Sequence, residues 1–318
     1  MEIAMREIKI ERNDSGQRLD KFLQKYLKEA SRGFLFKMLR KKNITLNGKK
    51  AEGNEILSEG DTVSVFFSDE TFEKFRGVQK GYRYPTTNLD ILYEDSEAAL
   101  LNKPVGMLSQ KAKNGDVTLV EYFLGYLQQK GDWQDGGSFT PAVCNRLDCN
   151  TSGVVIAGKS LYGLQKMSEL LKRRAIDKYY LTIVEGVMRQ PSVIRGYLCK
   201  DEKINKVTVY DEPAADRHFI ETGYEPLMDN GSYTLLRVKL ITGKTHQIRA
   251  HLSSIGHPLL GDVKYGGKRQ EGVKNFFLHA QKVCFPALDE PLDGLSEREI
   301  QAPLPARFAN MKQHLFGK

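Results

Sequence analysis

No apolar run in the 318 residues approaches the roughly twenty needed to span a bilayer. The opening residues, Met1-Glu2-Ile3-Ala4-Met5-Arg6-Glu7, alternate charged and apolar and do not form the continuous apolar stretch of a secretory leader. Cysteine is scarce. Cys144, Cys149, Cys199 and Cys284 show no Cys-x-x-Cys pairing, so they read as reduced structural thiols and the expected location is cytoplasmic, with no membrane partner. No Gly-x-x-x-x-Gly-Lys-Ser/Thr loop is present to cradle a nucleoside triphosphate, and no Gly-x-Gly-x-x-Gly to hold a dinucleotide. Histidine is sparse too. His246 and His251 are five apart, on different faces of a helix, where a zinc pair needs i and i+4, so no metal site is expected. What is left to an enzyme of this kind is carboxylate, phenol and guanidinium chemistry without a cofactor.

The composition, 40 % hydrophobic and 28 % charged, is that of an ordinary globular protein. The formal net charge is +8, and its distribution is uneven. Between Arg18 and Lys50, eleven Lys and Arg stand against two acids, so this one segment carries the whole positive excess, as expected of a module that meets a polyanion. Leu19, Phe22, Leu23, Tyr26 and Leu27 take the spacing of an amphipathic helix, predicted over Gln17 to Ala30, with Arg18, Lys21, Lys25 and Lys28 opposite. Ser31 suits the N-cap of a second helix to about Lys42, with Leu35, Met38 and Leu39 inward and Lys37, Arg40 and Lys41 outward. Asn47-Gly48, between Ile44-Thr45-Leu46 and Lys49-Lys50-Ala51, marks a type I′ hairpin, and Asp61 to Phe66 alternates like a strand. Two helices and a hairpin with basic outer faces resemble the S4 RNA-binding domain. Arg18, Lys21, Lys25, Lys37, Arg40 and Lys41 are its candidate RNA contacts.

We place this module over residues 1–67, a linker over 68–88, and a second domain over 89–318. The second domain reads as strands at 91–95, 98–103, 154–157, 178–185 and 233–241, with a helix from Leu161 to Arg174. Another helix is predicted from His246 to Ile255, capped by Thr245, with Ile248, Leu252 and Ile255 inward. Strands and helices without regular βαβ alternation predict an α+β fold.

Asp148 lies where an extended run meets the turn Asn150-Thr151-Ser152-Gly153. Taken alone, it serves as well for a turn cap as for a catalyst. Its context decides. Arg146-Leu147-Asp148 with Thr151-Ser152-Gly153, then Lys178-Tyr179-Tyr180, then Thr242 to Leu252, together with Lys103-Pro104-x-Gly106, Gly256-His257-Pro258, Gly261-Asp262 and Leu278-His279-Ala280, resemble in order the motifs of the RluA family of RNA pseudouridine synthases.

That resemblance implies a synthase domain with a mixed, mostly antiparallel central sheet flanked by helices. It implies isomerisation of uridine to pseudouridine in structured RNA, 23S ribosomal RNA first and transfer RNA second, by a monomer that needs no cofactor. It makes Asp148 the catalytic aspartate, Tyr180 the active-site tyrosine that packs on the uracil and helps remove the C5 proton, and Arg249 the partner of Asp148. Arg146 would fill the gap left by the flipped-out base, with Leu147, Lys103 and Thr151 as further substrate contacts. The sequence departs from the family pattern at Asn145, where His is usual, at Lys244, where Arg is usual, and at Ser109-Gln110-Lys111. Asn145 and Lys244 are the features that would suit a catalytically silent RNA-binding or assembly factor of the same fold. A third reading, an S4-linked methyltransferase, is disfavoured by the missing Gly-rich cofactor loop.

Overall fold

The computed structural model describes residues 4–77, 83–113, 115–269 and 271–317. They form two compact units, one of residues 1–87, 121–142 and 159–163, the other of residues 88–120, 143–158 and 164–318.

In the first unit, β1 (Ala4–Lys9) is followed by α1 (Leu19–Tyr26), α2 (Arg32–Arg40), β2 (Ile44–Leu46), β3 (Lys49–Lys50), β4 (Thr62–Phe67) and α3 (Asp69–Arg76). The sheet order is β1-β4-β2-β3. The apolar stripe predicted from spacing is the one buried: Leu19, Phe22, Leu23 and Leu27 join Leu35, Met38, Leu39, Ile44, Val63 and Val65 in one core. Ser31 caps α2 by accepting the N–H of Phe34 at 3.3 Å. Asn47 and Gly48 both adopt positive φ, 50° and 72°, as the tight hairpin requires.

The stretch read as a linker holds a helix. α3 is capped by Ser68 through the N–H of Thr71, ends at Gly77 in the left-handed region, and drives Phe72 into the core. Its predominantly polar sequence hid it, because the inward face is little more than Phe72 and Phe75. Residues 78–82 of that expected linker lie outside the described residues. Helix α4 (Leu119–Lys130), not foreseen from sequence, passes Gly125 so close to Pro85 that a Cβ there would meet the Pro85 carbonyl oxygen at 2.2 Å.

The remaining strands are β5 (Ile91–Glu94), β6 (Ala98–Lys103), β7 (Ala142–Val143), β8 (Ser152–Gly158), β9 (Asp177–Glu185), β10 (Ser192–Asp201), β11 (Lys206–Tyr210), β12 (His218–Asp229), β13 (Tyr233–Leu240), β14 (Leu278–Cys284) and β15 (Glu299–Gln301). The helices are α5 (Leu161–Lys172), α6 (Gln247–Ser254) and α7 (Ala306–Phe316). One sheet runs β11-β10-β12-β13-β9-β14-β8-β6-β5, with β15 on β14 and β7 on β8. β8 and β14 pair in parallel while the other pairs along the main run of the sheet are antiparallel, so the expected mixed, mostly antiparallel sheet is the one found. Ala98, Leu100, Val154 and Ile156 from the sheet pack with Met167 and Leu170 of α5.

The parallel pairing is possible because of Gly153. Its φ is +113°, and a Cβ there would stand 2.1 Å from the carbonyl oxygen of Ala280. Gly153→Ala must therefore push β8 from β14 at the strand that follows the Asp148 loop. We expect a loss of about 3 kcal/mol or more in urea unfolding, and a midpoint unchanged from wild type would refute this packing.

Candidate active site

The Asp148 loop is fastened at several points before it reaches β8. Asn145 Oδ1 accepts the N–H of Ile156 at 2.8 Å, tying the start of the loop to the strand it will enter. Ser109 Oγ accepts the N–H of Leu147 at 3.0 Å and donates to its carbonyl at 2.8 Å, bracketing one residue from both sides. The N–H of Thr151 closes a turn onto the carbonyl of Asp148 at 3.0 Å. Lys103, at the end of β6, donates from Nζ to the carbonyls of Pro104, Met107 and Cys149 at 2.9, 2.8 and 3.1 Å.

This corrects the reading of Lys103 as a substrate contact. It is 0 % exposed, and its three N–H groups are matched by three carbonyls, so it staples two loops together and has nothing left to offer a ligand. Burial lowers its pKa to about 8, against the opposing pull of Cys149 and Asp148. Leu147 and Thr151 are also buried, and Thr151 Oγ1 finds no hydrogen-bond partner among the described residues. Both were expected to face substrate. In this state they belong to the wall of the loop, while Arg146 alone of that group is exposed.

Opposite the loop stands α6, whose start differs from the expected one. Thr245 does not cap it; His246 occupies the cap position at φ 53° and makes no side-chain cap bond. The turn is held by Gln247, whose Oε1 accepts from Thr242 Oγ1 and the N–H of Lys244, while its Nε2 donates to the Glu221 carbonyl and Thr222 Oγ1. Ile255 lies past the last helical turn and is exposed.

Arg249 reaches from α6 between two carboxylates. Its Nε and Nη2 bond Asp262 at 2.7 and 2.9 Å, and its Nη1 bonds Asp148 Oδ2 at 3.0 Å. Phe276 and Tyr265 flank the guanidinium, with ring centroids 4.2 and 4.8 Å away. Burial disfavours this charge, but the two aspartates outweigh it and hold the pKa above its ordinary value. His246 Nε2 stands 3.8 Å from the same Oδ2. Both cations or donors approach Oδ2, and Oδ1 of Asp148 has no hydrogen-bond partner among the described residues. The Asp148 side chain is 25 % exposed beside Arg249 at 7 %, so the carboxylate of Asp148 can be reached while its partner cannot.

Tyr180 projects from β9 and is nearly buried. Burial first, and the negative charge of Asp148 second, push its phenol above the ordinary tyrosine range, so it is neutral near pH 7. Ser152 and His279 support the loop from behind, Oγ to Nδ1 at 2.9 Å, and burial lowers the pKa of His279. The site thus unites Asp148, Tyr180 and Arg249. It also contains residues to which no role had been given: Asp262, His246, Tyr265 and Ser109. Asp262 was visible within Gly261-Asp262, and Ser109 showed only as a departure from the family pattern.

Of the basic residues in the first unit, Arg18 is committed to buried Asp20 at 3.0 Å, and Lys25 donates to Gln17 at 2.8 Å. Arg18 is therefore a charge-neutralising partner before it is an RNA contact. Lys21, Lys37, Arg40 and Lys41 are exposed, and among the described residues no acid pairs with them. No cluster of His, Cys, Asp and Glu among the described residues could hold a metal ion, and no described helix is long and apolar enough to cross a membrane.

Removing one charge from the buried trio tests its weight. Asp262→Asn leaves Arg249 under-compensated in a dry site, and we expect a loss of about 3 kcal/mol in chemical denaturation. A loss below about 0.5 kcal/mol, the scale of an exposed pair, would contradict the buried arrangement.

A family model described as RNA pseudouridylate synthase matches residues 97–254, and one described as S4 domain matches residues 17–63. An RNA pseudouridine synthase described as uncharacterized, from Mycoplasma capricolum subsp. capricolum, is 30 % identical over 298 residues, covering 92 % of this chain and 95 % of its own. The ribosomal large subunit pseudouridine synthase C of Vibrio cholerae is 30 % identical over 320 residues, covering 95 % and 94 %. Among solved structures, human RNA pseudouridylate synthase domain containing 4 is similar with a TM-score of 0.58 at 22 % identity, over 71 % of this chain and 92 % of that one, a likeness of fold.

Proposed function

The chain belongs to the RluA family of RNA pseudouridine synthases, with an N-terminal S4 domain, and from that membership we propose that Asp148 is its catalytic carboxylate and large-subunit ribosomal RNA its substrate. The reaction of the family is an isomerisation. The N1–C1′ bond of a uridine breaks, the base turns, C5 bonds C1′, C5 gives up its proton and N1 ends with one, so no redox partner or group donor is consumed.

The observation that carries the assignment of Asp148 is its bond to Arg249, a guanidinium already fixed by Asp262. A carboxylate so held loses little freedom on meeting substrate. Its free Oδ1 is then available to attack C1′ or C6, or to stabilise positive charge developing at C1′. Tyr180, neutral because of burial and the nearby carboxylate, serves as a ring against the uracil face. A phenolate is unfavourable there, so we assign removal of the C5 proton, with which Tyr180 was expected to help, to the Asp148 carboxylate as the base at hand. Arg146, exposed beside the loop, is suited to occupy the space of the extruded base.

The ribosomal reading is supported by the Vibrio cholerae relative, whose name states a large-subunit substrate. A ribosomal substrate fits a cytoplasmic enzyme.

Asp148→Asn is expected to lower release of tritium from C5-labelled uridine in RNA by at least ~10³-fold, and undiminished turnover would sink the assignment. Pseudouridine mapping in a strain lacking the protein should show missing modification in 23S ribosomal RNA, and losses confined to transfer RNA would redirect the substrate. Replacing Lys37, Arg40 and Lys41 by Gln should reduce the slope of log K against log salt by about 2 to 3, at roughly 0.7–0.9 per phosphate contact. An unchanged slope would remove the S4 face from the RNA interface.

A further inference from the structure

Behind Asp148 a line of groups runs through the protein that the motif reading left without a role. The backbone N–H of Val207 donates to Tyr265 Oη at 3.1 Å. The phenol keeps its own hydrogen to donate, and its other hydrogen-bond neighbour among the described residues is His246 Nδ1, at 2.8 Å, a ring nitrogen able to accept it. An imidazole that accepts at Nδ1 carries its single proton on Nε2. Nε2 is the nitrogen 3.8 Å from Asp148 Oδ2. Burial lowers the pKa of His246, ahead of the opposing effect of Asp148, so the ring is neutral and the tautomer matters.

The backbone agrees with this assignment. His246 takes a left-handed conformation, φ 53°, that costs a non-glycine residue about 1 kcal/mol or more. It caps nothing in return. What the conformation does achieve is the bond to Tyr265 and the approach to Asp148. Tyr265 is itself held in place, since Ser253 Oγ donates to its carbonyl at 2.5 Å and ties the short 3₁₀ turn Val263–Tyr265 to α6.

We infer that His246 is a positioning residue for the isomerisation: Tyr265 holds it in the Nε2–H tautomer, and it turns that N–H dipole on Asp148 Oδ2. At 3.8 Å this is a charge–dipole attraction rather than a hydrogen bond. With Arg249 on the same oxygen, it leaves Oδ1 as the oxygen that reacts. The inference rests on the reading of Asp148 as the catalytic carboxylate.

Two amide replacements separate this role from mere filling of space. His246→Gln keeps an N–H donor near the position of Nε2, whereas His246→Asn keeps one only near Nδ1. We expect His246→Asn to lower kcat about tenfold with KM little changed, and His246→Gln to stay within about threefold of wild type. Nitrogen NMR of histidine-labelled protein should show His246 protonated on Nε2, and a tautomer mixture in Tyr265→Phe. Equal kcat values for the Gln and Asn variants, or a wild-type proton on Nδ1, would overturn the proposal. Should either His246 variant not fold, the tautomer in wild type and Tyr265→Phe decides alone. Turnover surviving Asp148→Asn would instead overturn the reading of Asp148, and the tautomer, observed without turnover, would still decide the His246 arrangement.

Discussion

Everything at the site depends on one buried cation held between two carboxylates. A guanidinium taken out of water is expensive unless its donors are matched, and Arg249 matches Nε and Nη2 with Asp262 and Nη1 with Asp148. This arrangement imposes demands on two separate loops. Asp262 must stay put, and its turn is secured by backbone bonds from Asp262 to Leu259, and from Tyr265 and Gly267 to Asp262. Asp148 must stay put as well, and Lys103, Ser109 and Asn145 anchor its loop from three directions. The price of burying Arg249 is thus spread through the backbone around it, and the same anchoring fixes the position of the Asp148 carboxylate.

Electrostatics works in two regimes in this chain. On the S4 unit, exposed Lys21, Lys37, Arg40 and Lys41 act in water, where attraction to a polyanion is long in reach and weakened by salt. In the synthase unit, Arg249 and Lys103 are buried and the His246 side chain is largely covered, so each charge or dipole is felt by one or two neighbours and salt has little access. The exposed and the buried positive charges therefore act over different distances.

Periodicity made the strongly amphipathic elements legible. The stripes of α1 and α2, the Asn47-Gly48 hairpin and the strands flanking the Asp148 loop lie where spacing put them. Elements with weak patterning escaped. α3 exposes a charged surface and inserts little more than Phe72 and Phe75, while β10 to β12 mix exposed and buried residues along a sheet edge. Thr245 failed as a cap because the amide of Gln247 gathers the turn before the helix begins. Lys103 misled for a different reason: a lysine in a motif suggests a solvent-facing charge, and only the fold reveals that three carbonyls surround it.

Residue types and their order determined the two-part character of the chain, its concentrated basic segment, its family resemblance and the choice of Asp148, Tyr180 and Arg249 as candidates, because composition and local spacing are properties of the chain itself. The tertiary structure decided which groups meet. Asp148 and Arg249 are 101 residues apart, and the line from Val207 through Tyr265 and His246 to Asp148 is assembled from four separate segments. No local pattern encodes such a line, because the hydrogen bonds and the desolvation that give it meaning come into being only when the sheet, α6 and their loops have closed on one another.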